Sequence, residues 1–225
     1  MSTALPPPPP AEPAPTVLGL PFTGRWLTQN SPANRVPSHG TDLFGTTYAI
    51  DFVAVDGHGR SGPPGWRALF ATEAPEDFRG FGTPVLAPSS GTVVSVHDGE
   101  PDHEARRSQP ALLAYALTQA GRVRQGPNAI AGNHVVIALA PDGPYVLLAH
   151  LRRGSIAAVP GALVAEGARI GGCGNSGNST EPHVHLQVTD STDWSACRGL
   201  PLAFRHPDGG PGPWLPRNGT VFNAW

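Results

Sequence analysis

Short apolar runs alternate with breaker-rich stretches along this chain, and no helix-period pattern is sustained for long. Tyr48 to Val55, "YAIDFVAV", is dense in β-formers and predicts a buried strand. Before it, "TVLGLPFTGRWLTQN" reads as an edge strand and turn. "PVLAPSSGTVVSVHDG" gives two short strands around a Ser-Ser-Gly turn, and "NHVVIALA", "PDGP", "YVLLAHL" has hairpin grammar. "ALVAEGARI" adds a short strand and "GGCGNSGNST" a glycine-rich loop. The last strand, "EPHVHLQV", places His183 and His185 at alternate positions with apolar residues between and after them. The one stretch of helical composition is "ALLAYALTQAGR", residues 111–122.

The breakers set the organisation. Residues 1–15, "MSTALPPPPPAEPAP", read as a disordered tail prone to polyproline II. Residues 16–225 read as one domain, with surface insertions at 57–83 and 100–128 and a C-terminal wrap over 190–225 of little regular structure. Gly 28 and Pro 27 in 225 residues fit a turn-rich β chain. A net charge of −2 offers no basic field for nucleic acid. No stretch approaches the roughly 20 apolar residues of a membrane span. The tail lacks the basic and apolar regions of an export signal, so a cytoplasmic location is expected, with export by another route as the alternative. A monomer is expected. Cys173 and Cys197 fit either one disulfide or two reduced thiols.

The chemistry gathers on a few polar residues inside apolar runs. Side chains alternate across a strand, so His183 and His185 face the same side, about 7 Å apart, while Val184 and Leu186 face the core. Two neutral imidazoles on one face suit zinc, although His-x-His alone is a weak signal. Asp51 sits within Tyr-Ala-Ile-Asp-Phe-Val, where a carboxylate is costly unless paired or metal-bound. His150 ends "YVLLAHL" with the same need for a polar partner. His39 precedes the Asp51 strand, and the glycine loop before His183 permits close backbone approach.

In order, "H…AIDF", "GTPVLAPSSGTVVSV", "GNHVVI", "YVLLAHL" and "GCGNSGNSTEPHVHLQV" resemble the lysostaphin/LytM-type zinc metalloendopeptidases over roughly residues 38–189. The resemblance implies an all-β fold, a curved antiparallel sheet of the barrel-sandwich hybrid type with at most one or two short helices, and one zinc ion. It assigns the metal to His39, Asp51 and His185, and catalysis to His150 and His183. It implies hydrolysis of peptide bonds in peptidoglycan stem peptides or cross-bridges. The alternative is a non-catalytic scaffold or wall-binding domain of the same fold, which predicts degenerate ligands that this sequence does not have.

One departure bears on the ligand set. The family pattern has three residues between the first His and the Asp, whereas eleven separate His39 from Asp51, and Asp42 competes for the role. Asp51 is preferred because "AIDF" matches the family strand, whereas Asp42 lies among turn residues. His134 is read as structural or at the rim, and His58, His97, His103 and His206 as solvated loop residues. Asn175 and Asn178 are read as turn stabilisers.

Overall fold

The computed structural model describes residues 13–108, 121, 124 and 126–224. The proline-rich residues 1–12, Trp225 and the helix predicted over 111–122, apart from Gly121, lie outside the described residues.

Thirteen strands dominate the described residues: β1 (Thr16–Leu18), β2 (Gly24–Gln29), β3 (Ile50–Ala54), β4 (Pro84–Leu86), β5 (Gly91–His97), β6 (Asn133–Ala138), β7 (Tyr145–Leu151), β8 (Leu163–Val164), β9 (Arg169–Gly172), β10 (Val184–Thr189), β11 (Leu202–Arg205), β12 (Pro213–Trp214) and β13 (Val221–Ala224). The helical segments among them include α1 (Arg67–Phe70), α2 (Pro127–Ala131) and two 3-10 segments, Leu43–Tyr48 and Pro75–Asp77. The fold is therefore mostly β, as the sequence predicts. No described helix is long and apolar enough to cross a membrane.

Eight strands form one sheet in the order β13-β2-β3-β10-β7-β6-β5-β8, every pair antiparallel. Strand alternation gives it two different faces. From β10, Val184, Leu186 and Val188 enter the main core with Ile50 and Phe52 of β3 and Val146 and Leu148 of β7. The intervening residues face the other side, where Leu147 and Ala149 pack with Val136, Ala131 and Trp194. Phe22 stacks on Trp26 at 3.9 Å between ring centroids and meets Phe52 edge-on, closing one end of the core. Truncating a fully buried aromatic such as Trp26 to Ala costs about 3–5 kcal/mol, so this cluster anchors the strand pair next to the site.

Several expectations need correcting. β2 is an interior strand between β13 and β3, because β13, from the predicted irregular wrap, pairs along it. β11 and β12 also come from that wrap and form a second sheet with β1, whose pairing with β11 is parallel. The two short strands expected around the Ser-Ser-Gly turn are present as β4 and β5, each with partners elsewhere: β4 joins β9, and β5 joins β6 and β8. The wrap and β4 find partners far away in sequence, which local periodicity does not encode. The two insertions are more than surface loops. Glu73 bridges to Ala105, and buried Glu73 forms an ion pair with Arg107 at 2.6 Å while that guanidinium lies over Phe78. Both cysteines are free thiols.

Candidate metal centre

The register of three strands builds the site. β10 lies between β3 and β7, with His185 directly opposite Asp51 on one side and Ala149 on the other. Cross-strand partners share a face, so Asp51 and His185 converge on the face opposite the main core. His39 reaches them from the loop before the 3-10 segment. The ligand atoms of His39, Asp51 and His185 all lie within 4.8 Å of one another. A second trio, His150, His183 and His185, meets the same limit and shares His185.

His150 arrives by a different route. Strict alternation along β7 would send it to the core face, since its neighbour Ala149 already faces His185. Opposite His134, however, β7 carries one extra residue: Asn133 pairs with Leu151, but Val135 pairs with Leu148. His150 sits in this bulge with φ 60°. Bulges commonly re-aim a side chain next to a functional site. Here the bulge turns the imidazole back, so its ring lies 4.7 Å from that of His183 and 5.7 Å from that of His185. A left-handed conformation at a non-glycine residue costs on the order of 1–3 kcal/mol and persists only where its surroundings enforce it. The Gly174 N–H donates to His150 O at 3.0 Å, and His150 Nδ1–H donates to Ser176 O at 2.9 Å.

The hydrogen bonds around each ring set its tautomer. Gln187 Nε2 donates to Phe44 O at 2.7 Å, which leaves Gln187 Oε1 to accept from His185 Nε2–H at 3.0 Å. The Nδ1 lone pair of a neutral His185 then faces Asp51 Oδ1 at 2.8 Å. Ser38 Oγ donates to Thr46 O and so accepts from His39 Nδ1–H at 3.0 Å, which aims the His39 Nε2 lone pair at Asp51 Oδ2, also at 3.0 Å. His183 Nδ1–H donates to Glu181 O at 2.8 Å, with Nε2 3.7 Å from Asp51 Oδ1. Acceptors pointed at a carboxylate repel unless a proton or a cation lies between them.

No arginine or lysine lines this cleft among the described residues, so the charge of Asp51 is answered only by imidazoles and by Asn30 Nδ2, which donates to Oδ2 at 2.7 Å. Asp51 is buried, and an unpaired buried carboxylate costs several kcal/mol. That burial pushes its pKa up, but the charges of His39 and His183 and the hydrogen bonds from His185 and His39 overcome it and hold the carboxyl well below its ordinary range. Burial also pulls His185 down, but the Asp51 hydrogen bond and charge outweigh it and raise that ring. His150 is driven well below the usual histidine value, first by burial and then by the charges of His183 and His185. Two imidazoles and a carboxylate, each oriented by a further hydrogen bond, form a donor set that suits a divalent transition metal, zinc above all.

The cleft has a volume of about 390 Å³. Thr41, Leu43, Phe44 and Thr46 line it from the segment inserted between His39 and Asp51, Pro127 and Ile130 from α2, and Trp194 from the loop after β10. All five sequence-predicted site residues, His39, Asp51, His150, His183 and His185, line it too. Asp42 does not: its Oδ1 accepts from Thr47 Oγ1 at 3.0 Å in the exposed turn. Sequence reading missed Asn30, Ser38 and Gln187. Gln187 continues the alternation of His183 and His185 and was open to the same argument, whereas Asn30 and Ser38 carry no local signal. His97 lies in β5 rather than a loop, stacked on buried His134. His103 is also tied down, through Nε2–H to Gly177 O at 2.9 Å. Asn175 Nδ2 donates to His103 O at 2.7 Å, a loop-fastening role.

Residues 102–196 match the sequence profile of peptidase family M23. The matched segment contains His150, His183 and His185 and leaves His39 and Asp51 outside. Among curated proteins none matches the chain. Similar solved structures include the catalytic domain of the antimicrobial peptidase lysostaphin from Staphylococcus simulans (19% identity, 71% of this chain and 86% of that chain, TM-score 0.37). Another is the catalytic domain of the prophage-encoded M23 protein EnpA from Enterococcus faecalis (19% identity, 85% and 92%, TM-score 0.40). A third is the deep-sea M23 metalloprotease pseudoalterin (14% identity, 94% and 97%, TM-score 0.44).

Proposed function

We propose, starting from the match of residues 102–196 to peptidase family M23, that the chain is a zinc-dependent endopeptidase whose substrates are peptide bonds in peptidoglycan stem peptides or cross-bridges. The observation that carries this reading is the convergence of His39, Asp51 and His185, two imidazole lone pairs on one buried carboxylate with no arginine or lysine among the described residues that line the cleft. Zinc at that position supplies a Lewis acid for a carbonyl oxygen and lowers the pKa of water toward 7.

The chain's own residues divide the remaining work. Asn30, Ser38 and Gln187 fix the orientation of the three ligands. His150 and His183 both have Nδ1–H bound to a backbone carbonyl, which leaves Nε2 of each to accept a proton from water, hold a developing oxyanion once protonated, or return the proton to the leaving amine. A His150 held neutral near pH 7 is ready to accept. Apolar Leu43, Ile130 and Trp194 flank these polar groups and limit water around a bound peptide.

The test combines metal analysis of the purified chain with clearing of isolated cell walls and mass spectrometry of the released peptides. One zinc per chain is expected, with clearing that stops on chelation and returns on adding zinc. A chain that takes up no zinc and releases no peptide would falsify the proposal.

A further inference from the structure

The second insertion reaches the loop around His150 through Asp102 and, beside it, through His103, whose Nε2–H donates to Gly177 O. Asp102 Oδ1 accepts the Asn175 N–H at 2.7 Å, and its Oδ2 accepts the Arg153 N–H at 3.0 Å. One side chain thus joins the backbone just after His150 to the glycine loop that cradles it. The approach is close: a Cβ on Gly174 would lie 2.6 Å from Asp102 Oδ1 and 2.4 Å from Arg152 Cα. Gly174 is the residue whose N–H holds the carbonyl of His150, and Ser176, two residues on, accepts from His150 Nδ1–H. From the opposite side, Ser176 Oγ is fixed by the Asn133 N–H and Leu151 O. The left-handed turn at His150 is therefore enclosed between β6 and the insertion.

We infer that Asp102 is a positioning residue: by bonding to Asn175 and Arg153 it holds the 174–176 loop where that loop fixes the backbone turn and the tautomer of His150. It touches neither substrate nor metal, and its influence passes through the cradle alone. The kinetic arm of the test rests on the peptidase reading, and the spectroscopic arm does not.

Asp98 provides the control, since its Oδ1 accepts the Gly154 N–H at 2.8 Å in the same turn but bonds to nothing in the 174–176 loop. The full chain, labelled with ¹⁵N, is made as wild type, Asp102→Ala, Asp102→Asn and Asp98→Ala. Imidazole ¹H–¹⁵N correlation spectra report whether His150 keeps its Nδ1-protonated tautomer, and zinc-loaded proteins are assayed for kcat and KM on a released wall peptide. Asp102→Ala is expected to lose the single His150 tautomer and to lower kcat on the order of 10- to 100-fold, with zinc content and KM unchanged, as for other residues that orient a catalytic group. Asp98→Ala is expected to match wild type. Asp102→Asn keeps one acceptor and serves if the alanine variant does not fold. A wild-type tautomer and rate in both Asp102 variants overturns the inference, as does an equal loss in Asp98→Ala. If wild type hydrolyses nothing, the peptidase reading fails while the tautomer still decides the role of Asp102.

Discussion

The two halves of the histidine cluster are held in different ways. At one end His39 and His185 face a buried carboxylate, and every orienting partner is a side chain: Ser38, Asn30 and Gln187. At the other end His150 and His183 are fastened through Nδ1 to the carbonyls of Ser176 and Glu181. The first arrangement concentrates negative charge and lone pairs, which suits a cation. The second fixes Nδ1 as the donor on each ring and leaves Nε2 for proton transfer. His185 belongs to both trios and joins the halves.

Removing the shared residue should have the largest effect. His185→Ala is expected to abolish both zinc binding and hydrolysis, and to erase the rise in Tm that zinc gives the wild type, about 2.7 kcal/mol of stabilisation at 100-fold excess over Kd. Retention of stoichiometric zinc in this variant would break the comparison. His183→Ala tests the other half: kcat should drop about 10²- to 10⁴-fold, the usual worth of a general acid or base, with zinc content intact. Loss of metal instead would move His183 to the ligand side. Replacing Gln187 by Leu removes the acceptor for His185 Nε2–H and should weaken zinc affinity about 10- to 100-fold, readable by competition with a chelating dye.

The subtlest difference is in the titrations of the metal-free protein. NMR should find His185 titrating above the ordinary histidine value and His150 below it. The consequences for stability have opposite signs. A raised His185 stabilises the fold below its unfolded pKa, and that contribution disappears as pH rises through the folded value. A lowered His150 favours the fold above the unfolded value of about 6.5 and opposes it increasingly as pH falls below that. A His150→Gln variant should therefore lose less stability than wild type on acidification below about pH 6.5. If the two rings titrate together, the electrostatic contrast between the halves does not hold.

The pairing of β6 with β7, the buried strand around Asp51 and the surface position of much of 57–83 were readable in the chain, because each depends on contacts between near neighbours or on a period of two. The one-sided placement of His183 and His185 followed from the same alternation, and Gln187 extends it. The different surroundings of Asp51 and Asp42 were readable as well: a carboxylate within an apolar run needs a partner, which Asp51 finds in the cleft, and one among turn residues does not.

Other features were settled only when distant segments met. The strands of the C-terminal wrap exist because β13 found β2 and β11 found β1, pairings closed across nearly the whole chain and invisible to any local window. Alternation alone would point His150 away from the site, and it joins His183 only because one extra residue in β7 is accommodated opposite β6. The sequence by itself marked out the polar residues that gather in the cleft, since that depends on residue type and on whether its neighbours are apolar. The tertiary structure decided which nitrogen of each ring faces the cleft, because Gln187 and Ser38 are themselves directed by the carbonyls of Phe44 and Thr46, and Ser176 reaches His150 from a separate loop.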